Sequence, residues 1–290
     1  MVLVKKRISL QRSITLSVLL IGLLSGAIGI GYAYLHEKHT RRATVGLYFQ
    51  ELARQSADKV GLMLTKEIEW VERLSALPEV RESVKQGARL AFTQPGLQRW
   101  RDEQRQYFRS LTIVDRRGML VGGVTSDTTR AHYAQQPWWP IVFGQARPWA
   151  GELRVDEKGR SYWEVAVPIM DDGQAAVGAL KVVIGADELF ASVLRTRIGQ
   201  TGHVMLLDEQ GRVLACPVLP PGVHTKTDAF LAGRIGAPPG HPMAAWAEVQ
   251  DDSHGVQGSL VGISSVGLPA RIAQERMWRI LVRQDPKETD

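Results

Sequence analysis

The sequence predicts an α+β protein that consists of an N-terminal transmembrane helix, a long stalk helix and two tandem antiparallel-sheet units. Three observations lead to this prediction. Residues 13–35 contain no charged side chain, and apolar residues recur every three or four positions across 43–77. A strand–turn–strand pattern with Asp-x-x-Gly at its turn occurs twice, at Asp115 and at Asp208.

The composition is that of a globular chain whose excess positive charge is confined to its first segment. The chain has 290 residues, 44% of them hydrophobic and 23% charged, which is sufficient to bury a core and excludes a disordered or disulfide-stapled class. The net charge of +6 arises within residues 1–42, from Lys5, Lys6, Arg7, Arg12, Lys38, Arg41 and Arg42 against Glu37. Because residues 43–290 are then electrically balanced, nucleic acid is not an expected partner.

The uncharged run at 13–35 is long enough to be a membrane anchor. At helical rise it extends about 35 Å, and the hydrocarbon core of a bilayer measures about 30 Å. A cleaved signal peptide is the alternative, but its apolar region is usually shorter and ends in an A-x-A site, which Tyr32-Ala33-Tyr34-Leu35 does not provide. Four bases precede the run, whereas three bases and one acid follow it, so residues 1–12 are expected in the cytoplasm.

The membrane segment also carries small residues four positions apart, such as Gly22 and Gly26. This spacing allows two helices to approach closely, so a homodimer through the transmembrane and stalk helices is expected within the lipid bilayer. The alternative is that small residues are simply common in membrane helices. The one cysteine, Cys216, excludes an internal disulfide.

The stalk and its flanking helices are expected over residues 43–110. The predicted buried stripe of the stalk helix is Phe49, Leu52, Ser56, Val60, Met63, Glu67, Trp70, Leu74 and Leu77, with a second row of Leu64, Ile68 and Val71. Pro78 fits the first position of a short helix that ends at Gly87, and residues 97–110 predict another helix.

Beyond residue 110 the pattern changes to strands. LTIVD-RR-GMLVGG and HVMLLD-EQ-GRVLACPV each predict a hairpin. Each hairpin is followed by a loop-rich insertion and two apolar strands, expected at 161–170 and 176–184 in the first copy and at 258–267 and 277–284 in the second. The repeat predicts one sheet unit at 111–198 and another at 199–290, with a helix after Gly185 between them.

These segments together resemble the double Cache domain, a PAS-like extracytoplasmic sensor of bacterial chemoreceptors, histidine kinases and diguanylate cyclases. The resemblance is carried by LTIVDRRG, QQPWWP, YWEVAVPIMD, GALKVV, IGQTGHVMLLDEQGRVL and the closing WRILVRQDP, in that order, and it covers about 43–290. It implies a receptor of the bacterial inner membrane whose residues 36–290 are periplasmic. It also implies that the membrane-distal unit (111–198) binds a small molecule and that the stalk relays the signal.

Two features depart from the family pattern. A second membrane helix and an output module normally follow the closing strand, so here the output is expected either beyond residue 290 or on a partner. The family members that bind amino acids carry R-x-W-Y and then Y-x-D, where this chain has Gln136-Pro137-Trp138-Trp139 and then Trp149-Ala150-Gly151. An α-amino acid ligand is therefore not expected, and the identity of the ligand stays open.

The expected ligand site is the aromatic cluster between Tyr133 and Glu164. Its candidate ligand-binding residues are Tyr133, Gln136, Trp138, Trp139, Trp149, Arg154, Tyr162 and Glu164. Strand alternation puts Trp149, Gly151 and Leu153 on one face and Glu152 with Arg154 on the other, while Tyr162 and Glu164 oppose Trp163. The alternative is that these aromatic residues fill a core. The membrane-proximal unit (199–290), whose insertion carries His224 and His241, is expected to be structural.

The sequence shows no constellation typical of an enzyme, so no catalytic residue, metal site or cofactor is expected. His36 and His39 lack the H-E-x-x-H spacing that places two imidazoles around zinc. There is no G-x-S-x-G nucleophile elbow, and one cysteine excludes C-x-x-C. Two functions remain: a ligand-sensing region of a membrane receptor, or a periplasmic protein-interaction module without a small-molecule ligand.

Overall fold

The structure, a computed structural model, describes residues 10–87, 108–124, 132–156, 160–219, 245–249, 259–274, 277–285 and 288. The helices are α1 (Leu10–Ser75), α2 (Pro78–Gln86) and α3 (Ala186–Leu194), with a π-helical turn at Pro140–Gly144. The strands of the first half are β1 (Phe108–Asp115), β2 (Leu120–Val124), β3 (Trp149–Val155), β4 (Ser161–Met170) and β5 (Ala176–Gly185). Those of the second half are β6 (Arg197–Ile198), β7 (Gly202–Leu207), β8 (Val213–Ala215), β9 (Ala245–Val249), β10 (Ser259–Ser265), β11 (Ala273–Gln274) and β12 (Arg279–Gln284).

The chain divides into two compact units, Met1–Val45 with Thr289–Asp290 and Gly46–Glu288. In the described part of the first unit, the apolar side chains of the expected membrane span are exposed, from 57% for Ile14 to 74% for Ile30. Helix α1 includes an 18-residue window of mean hydropathy 2.2. By length and composition it is a candidate to cross a membrane, as the uncharged run predicted.

Helix α1 begins at Leu10 and continues without interruption to Ser75. The predicted membrane segment and the predicted stalk are thus parts of one helix, which ends two residues before the expected Leu77. The buried stripe is also rotated from the prediction: the second row, Leu64, Ile68 and Val71, is fully buried, whereas Leu52, Met63, Glu67 and Trp70 of the first row are only half-buried.

The rotation of the stripe follows from small residues that a hydrophobic pattern does not weight. Ala53, Ala57 and Gly61 are buried, and at Gly61 the helix comes so close to its neighbour that an added Cβ would lie 2.4 Å from the carbonyl oxygen of Gly267. Close approach of backbones turns the small-residue side of the helix toward the sheets.

The second unit contains two sheets whose main strands are antiparallel, as the repeat predicted. One sheet has the strand order β11-β3-β4-β5-β1-β2, and we call it the distal sheet after the unit predicted at 111–198. The other has the order β6-β7-β12-β10-β9 with β8 paired to β7, and we call it the proximal sheet after the unit predicted at 199–290. The expected strands at 161–170 and 176–184 are confirmed, and those expected at 258–267 and 277–284 are shorter, as β10 and β12. The short helix from Pro78 is confirmed, with Gly87 in the left-handed conformation at its end.

One predicted boundary was wrong, and one strand was not predicted. Residues 108–110, expected at the end of a helix, begin strand β1, and the rest of that expected helix (97–107) lies outside the described residues. Strand β11, which belongs to the second half of the chain, pairs in parallel with β3 of the distal sheet. Pattern alone could not find this strand because it is only two residues long.

The two Asp-x-x-Gly turns have the same hydrogen bonds. Asp115 Oδ1 accepts the backbone N–H groups of Arg117 and Met119, and Asp208 Oδ1 accepts those of Gln210 and Arg212. The glycine of each turn has a positive φ, 75° at Gly118 and 81° at Gly211, where a side chain would be strained. The carboxylates thus stabilise hairpins, as expected for aspartates at turns.

Candidate functional site

Four of the candidate aromatic residues lie together on one face of the distal sheet. Tyr133, Trp138, Trp139 and Trp149 form a buried cluster with Val142, Val114, Ala166 and Ala179. The ring centroids of Trp138 and Trp139 are 5.8 Å apart in an edge-on arrangement, and Trp139 stacks on Phe143 at 4.8 Å. Three of these aromatic residues precede β3, on the segment that leads into the π-helical turn, so the chain folds back over the sheet at this point.

The indole N–H of Trp138 is buried without a hydrogen-bond partner among the described residues. The residue is 1% exposed, so the donor is shielded from bulk solvent. Leaving such a donor unsatisfied costs about 1–3 kcal/mol. The aromatic cluster therefore holds a hydrogen-bond donor for which the described chain supplies no acceptor.

The polar candidates lie on the same face of the sheet, toward the other end of β4. Tyr162 and Glu164 are half-buried and share a face with Ala166 of the cluster. The Arg109 guanidinium lies 5.9 Å from the centre of the Tyr162 ring and pairs with Asp156 at 3.2 Å. Arg154 is exposed and pairs with Glu152 at 3.2 Å. Gln136, which precedes Trp138 in the covering segment, is half-buried.

The predicted alternation was correct for β4 and wrong for β3. Trp163 lies on the opposite face, where it donates to the Gly151 carbonyl at 3.1 Å and meets Trp278 of the second half edge-on. On β3 a bulge between Ala150 and Leu153 interrupts the register, so that Trp149 pairs with Ala166 and Arg154 pairs with Tyr162. The bulge puts Trp149 and Arg154 on one face and moves Leu153 to the other.

Sequence reasoning missed two polar residues of this face. Lys181 on β5 lies directly opposite Ala166, and its ammonium group is 2.6 Å from the Glu164 carboxylate. Their side chains are only 14% and 16% exposed. Thr112 of β1, which is buried, lies opposite Lys181 on the other side. The available signal was Lys181 itself, the one charged residue in the apolar strand AVGALKVVIG.

Besides the buried Arg279 and Arg283 of β12, the proximal sheet presents an apolar cluster. Met205, Leu207, Val249, Val261, Ile263 and Leu281 form it. His224 and His241 lie outside the described residues. Within the part of the chain that the structure describes, no group of three or more His, Cys, Asp or Glu residues could hold a metal ion.

Comparisons with known proteins were made by sequence and by structure. No family model and no curated protein matches the sequence. The ligand-binding domain of the Pseudomonas aeruginosa PAO1 amino acid chemoreceptor PctC, solved with GABA, matches at a TM-score of 0.58 and 21% identity, over 83% of this chain and 100% of that one. The ligand-binding domain of the Pseudomonas fluorescens chemoreceptor CtaA, solved with L-isoleucine, matches at 0.57 and 15% identity, over 87% and 97%.

A third solved structure extends the likeness to kinases. The extracellular domain of the protein assigned as histidine kinase vpHK1S-Z8 matches at a TM-score of 0.60 and 10% identity, over 86% of this chain and 98% of that one. At these low identities, the TM-scores show a shared fold. The chain has the fold of the ligand-binding domains of these chemoreceptors and of the extracellular domain of this kinase, in agreement with the double Cache fold that the sequence predicts.

Proposed function

We propose that this chain is the extracytoplasmic sensing region of a membrane-anchored bacterial receptor, which binds a small molecule on the distal sheet and relays its binding through α1. The observation that carries the proposal is the buried indole N–H of Trp138, which has no acceptor among the described residues. An acceptor atom of a ligand would satisfy it. The ligand-bound structures of the PctC and CtaA domains support a sensing role for this fold.

The side chains on this face of the distal sheet limit the chemical class of ligand that could bind there. The N–H of Trp138 can donate to an acceptor atom of a ligand. The indole rings favour a ligand that is apolar or flat. The Lys181–Glu164 pair supplies one cation and one anion close together, so a ligand with both an acceptor and a donor could contact the pair without leaving either charge uncompensated. Because Gln136 and Gly151 stand where the amino acid motif has Arg and Asp, we propose a ligand other than an α-amino acid.

Helix α1 contacts both sheets, which supports the proposed relay. Near its middle, Phe49 and Gln50 lie against Gly262 of the proximal sheet. At its end, the Ser75 hydroxyl donates to the Pro168 carbonyl of the distal sheet at 3.1 Å. A ligand can shift the helix only if it binds two packings of these elements with different affinity.

The membrane-related parts of the proposal rest on the first unit. We propose that residues 13–35 span the inner membrane and that two copies associate through the transmembrane and stalk helices. An added Cβ at Gly22 or Gly26 would meet no described atom within 4 Å, so this side of the helix is open for a partner helix.

A thermal-shift screen of the full chain in detergent tests the binding proposal. The panel comprises small organic acids, amines, purines and polyamines. A compound present at 100 times its Kd stabilises by about 2.7 kcal/mol, which raises the Tm by roughly 5–10 °C. If no compound raises the Tm, the sensing function loses its support, and co-purification of a protein partner would then favour an interaction module.

Two tryptophan variants locate the site of any compound found. Trp138→Phe removes the unpartnered N–H, so the affinity for the compound should fall about tenfold. The rise in Tm that the compound causes should then be about half that of the wild type. The matched control is Trp163→Phe, which removes an N–H already bonded to Gly151 on the opposite face and should leave the ligand-induced shift unchanged. An unaltered shift in Trp138→Phe would place the ligand elsewhere.

A further inference from the structure

Residues 266–274, which we call the bridging segment, connect the proximal sheet with β3 and with α1. The segment leaves β10 and ends in β11, whose Ala273 and Gln274 pair in parallel with Trp149 and Ala150 of β3. The Ala273 N–H donates to the Pro148 carbonyl at 2.8 Å. One end of the segment thus extends the distal sheet at the strand that carries Trp149.

Two arginines connect the bridging segment to different elements. Arg147, just before β3, donates from Nη2 to the Ala270 carbonyl at 2.8 Å and from Nε to the Arg271 carbonyl at 3.3 Å. Arg271 itself points to α1, where its guanidinium contacts Glu72 at 2.6 Å and Glu69 at 3.7 Å. Residue 271 is therefore attached through its backbone to the β3 side and through its side chain to the helix.

The position of Trp149 depends on the same strand. A Cβ added at Gly151 would lie 2.5 Å from the Trp149 ring, so the indole lies directly over the β3 backbone. Since β11 is only two residues long and the Arg271–glutamate contacts are partly exposed, the bridge is weak enough for ligand binding to shift it.

We propose that the bridging segment is a coupling element that makes the position of β3, and with it Trp149, depend on the position of α1 at Glu69 and Glu72. The inference rests on the proposed sensing function, for which it supplies the route from the ligand face to the helix. It makes Arg147 and Arg271 positioning residues, which act through the backbone that they hold and not through contact with a ligand.

Coupling is reciprocal, and this property gives a test that needs no ligand. Hydrogen exchange is followed by mass spectrometry in the full chain in lipid nanodiscs, in peptides that cover 66–75 of α1 and 149–155 of β3. Arg271→Ala should accelerate exchange in β3, and Arg147→Ala should accelerate exchange in α1, each by about twofold to fivefold. Each variant is thus read at the element that the removed side chain does not contact.

The control is Arg54→Ala, which removes an exposed arginine of α1 that pairs with Glu51 and Asp58, away from the bridge. It should leave both peptides unchanged. If Arg271→Ala disturbs folding, Glu72→Gln tests the same contact, because it removes the charge of the glutamate and keeps its shape. Glu72→Gln should then accelerate exchange in β3 as well. Acceleration confined to the element next to each substitution would overturn the proposal. Because no ligand is added, this result is independent of the outcome of the compound screen.

Discussion

At the scale of single residues, the structure shows where polar groups are stabilised and where they are not. The turn aspartates Asp115 and Asp208 accept backbone N–H groups and stabilise hairpins. Glu67 is a contrasting case, because it lies on α1 beside the buried Leu64 and Ile68, and burial raises the pKa of its carboxyl. A charged Glu67 therefore destabilises the folded protein.

The raised pKa of Glu67 predicts a pH-dependent effect of Glu67→Gln. Below the unfolded-state pKa, Glu67 is protonated in both states, so glutamine should change the Tm little. As the pH rises from the unfolded-state pKa to the raised folded-state pKa, the wild-type protein loses the stability that tighter proton binding gives to its folded state. At pH 7.5 the variant should have a higher Tm than the wild type. Thermal melts from pH 4 to pH 8 measure this, and a difference that does not grow with pH would contradict the assignment.

At the scale of elements, the packing of α1 on the proximal sheet depends on a glycine. A Cβ added at Gly262 would lie 2.2 Å from the carbonyl carbon and oxygen of Phe49 and 2.5 Å from the nitrogen of Gln50. The strand and the helix therefore meet backbone to backbone. A side chain at Gly262 would therefore separate β10 from α1.

Gly262→Ala should destabilise the protein by forcing β10 and α1 apart. Overpacking of this kind costs about 1–3 kcal/mol, which lowers the Tm by roughly 2–10 °C in a domain of this size. Gly267→Ala is the matched control, because its Cβ would meet no described atom within 4 Å, and it should leave the Tm unchanged. Differential scanning calorimetry compares the two, and equal Tm values would show that α1 and β10 can separate without cost.

At the scale of the whole molecule, the apolar N-terminal part of α1 and the two sheets belong to different compact units. The second unit, Gly46–Glu288, contains both sheets and all buried core side chains that the structure describes. The described apolar side chains of 14–35 contribute nothing to that core, since they are exposed.

Deletion of residues 1–42 should therefore yield a protein that needs no detergent and unfolds cooperatively. Its Tm should match that of the full chain, because no buried contact of the second unit is removed. Calorimetry of both forms checks the prediction, and size-exclusion chromatography checks solubility. A shortened chain that aggregates or melts without a cooperative transition would show that the sheets require the preceding helix.

Much of the fold could be predicted from the sequence because its signals are local. An uncharged run, an Asp-x-x-Gly turn or a proline at a helix start restricts only neighbouring residues, so the long apolar N-terminal helix, both hairpins and the helix from Pro78 were all recognised. The aromatic cluster was recognised in the same way, because Tyr133, Trp138, Trp139 and Trp149 are close in sequence. Their role as ligand-binding residues stays a prediction.

What only the tertiary structure decided involves backbones and registers brought together from distant parts of the chain. The bulge in β3 changes which side chains face the cluster, the pairing of β11 with β3 joins residues more than a hundred positions apart, and Lys181 reaches Glu164 only because β4 and β5 are neighbours. No pattern within one segment contains this information, since each contact depends on the free energy of packing two elements against each other.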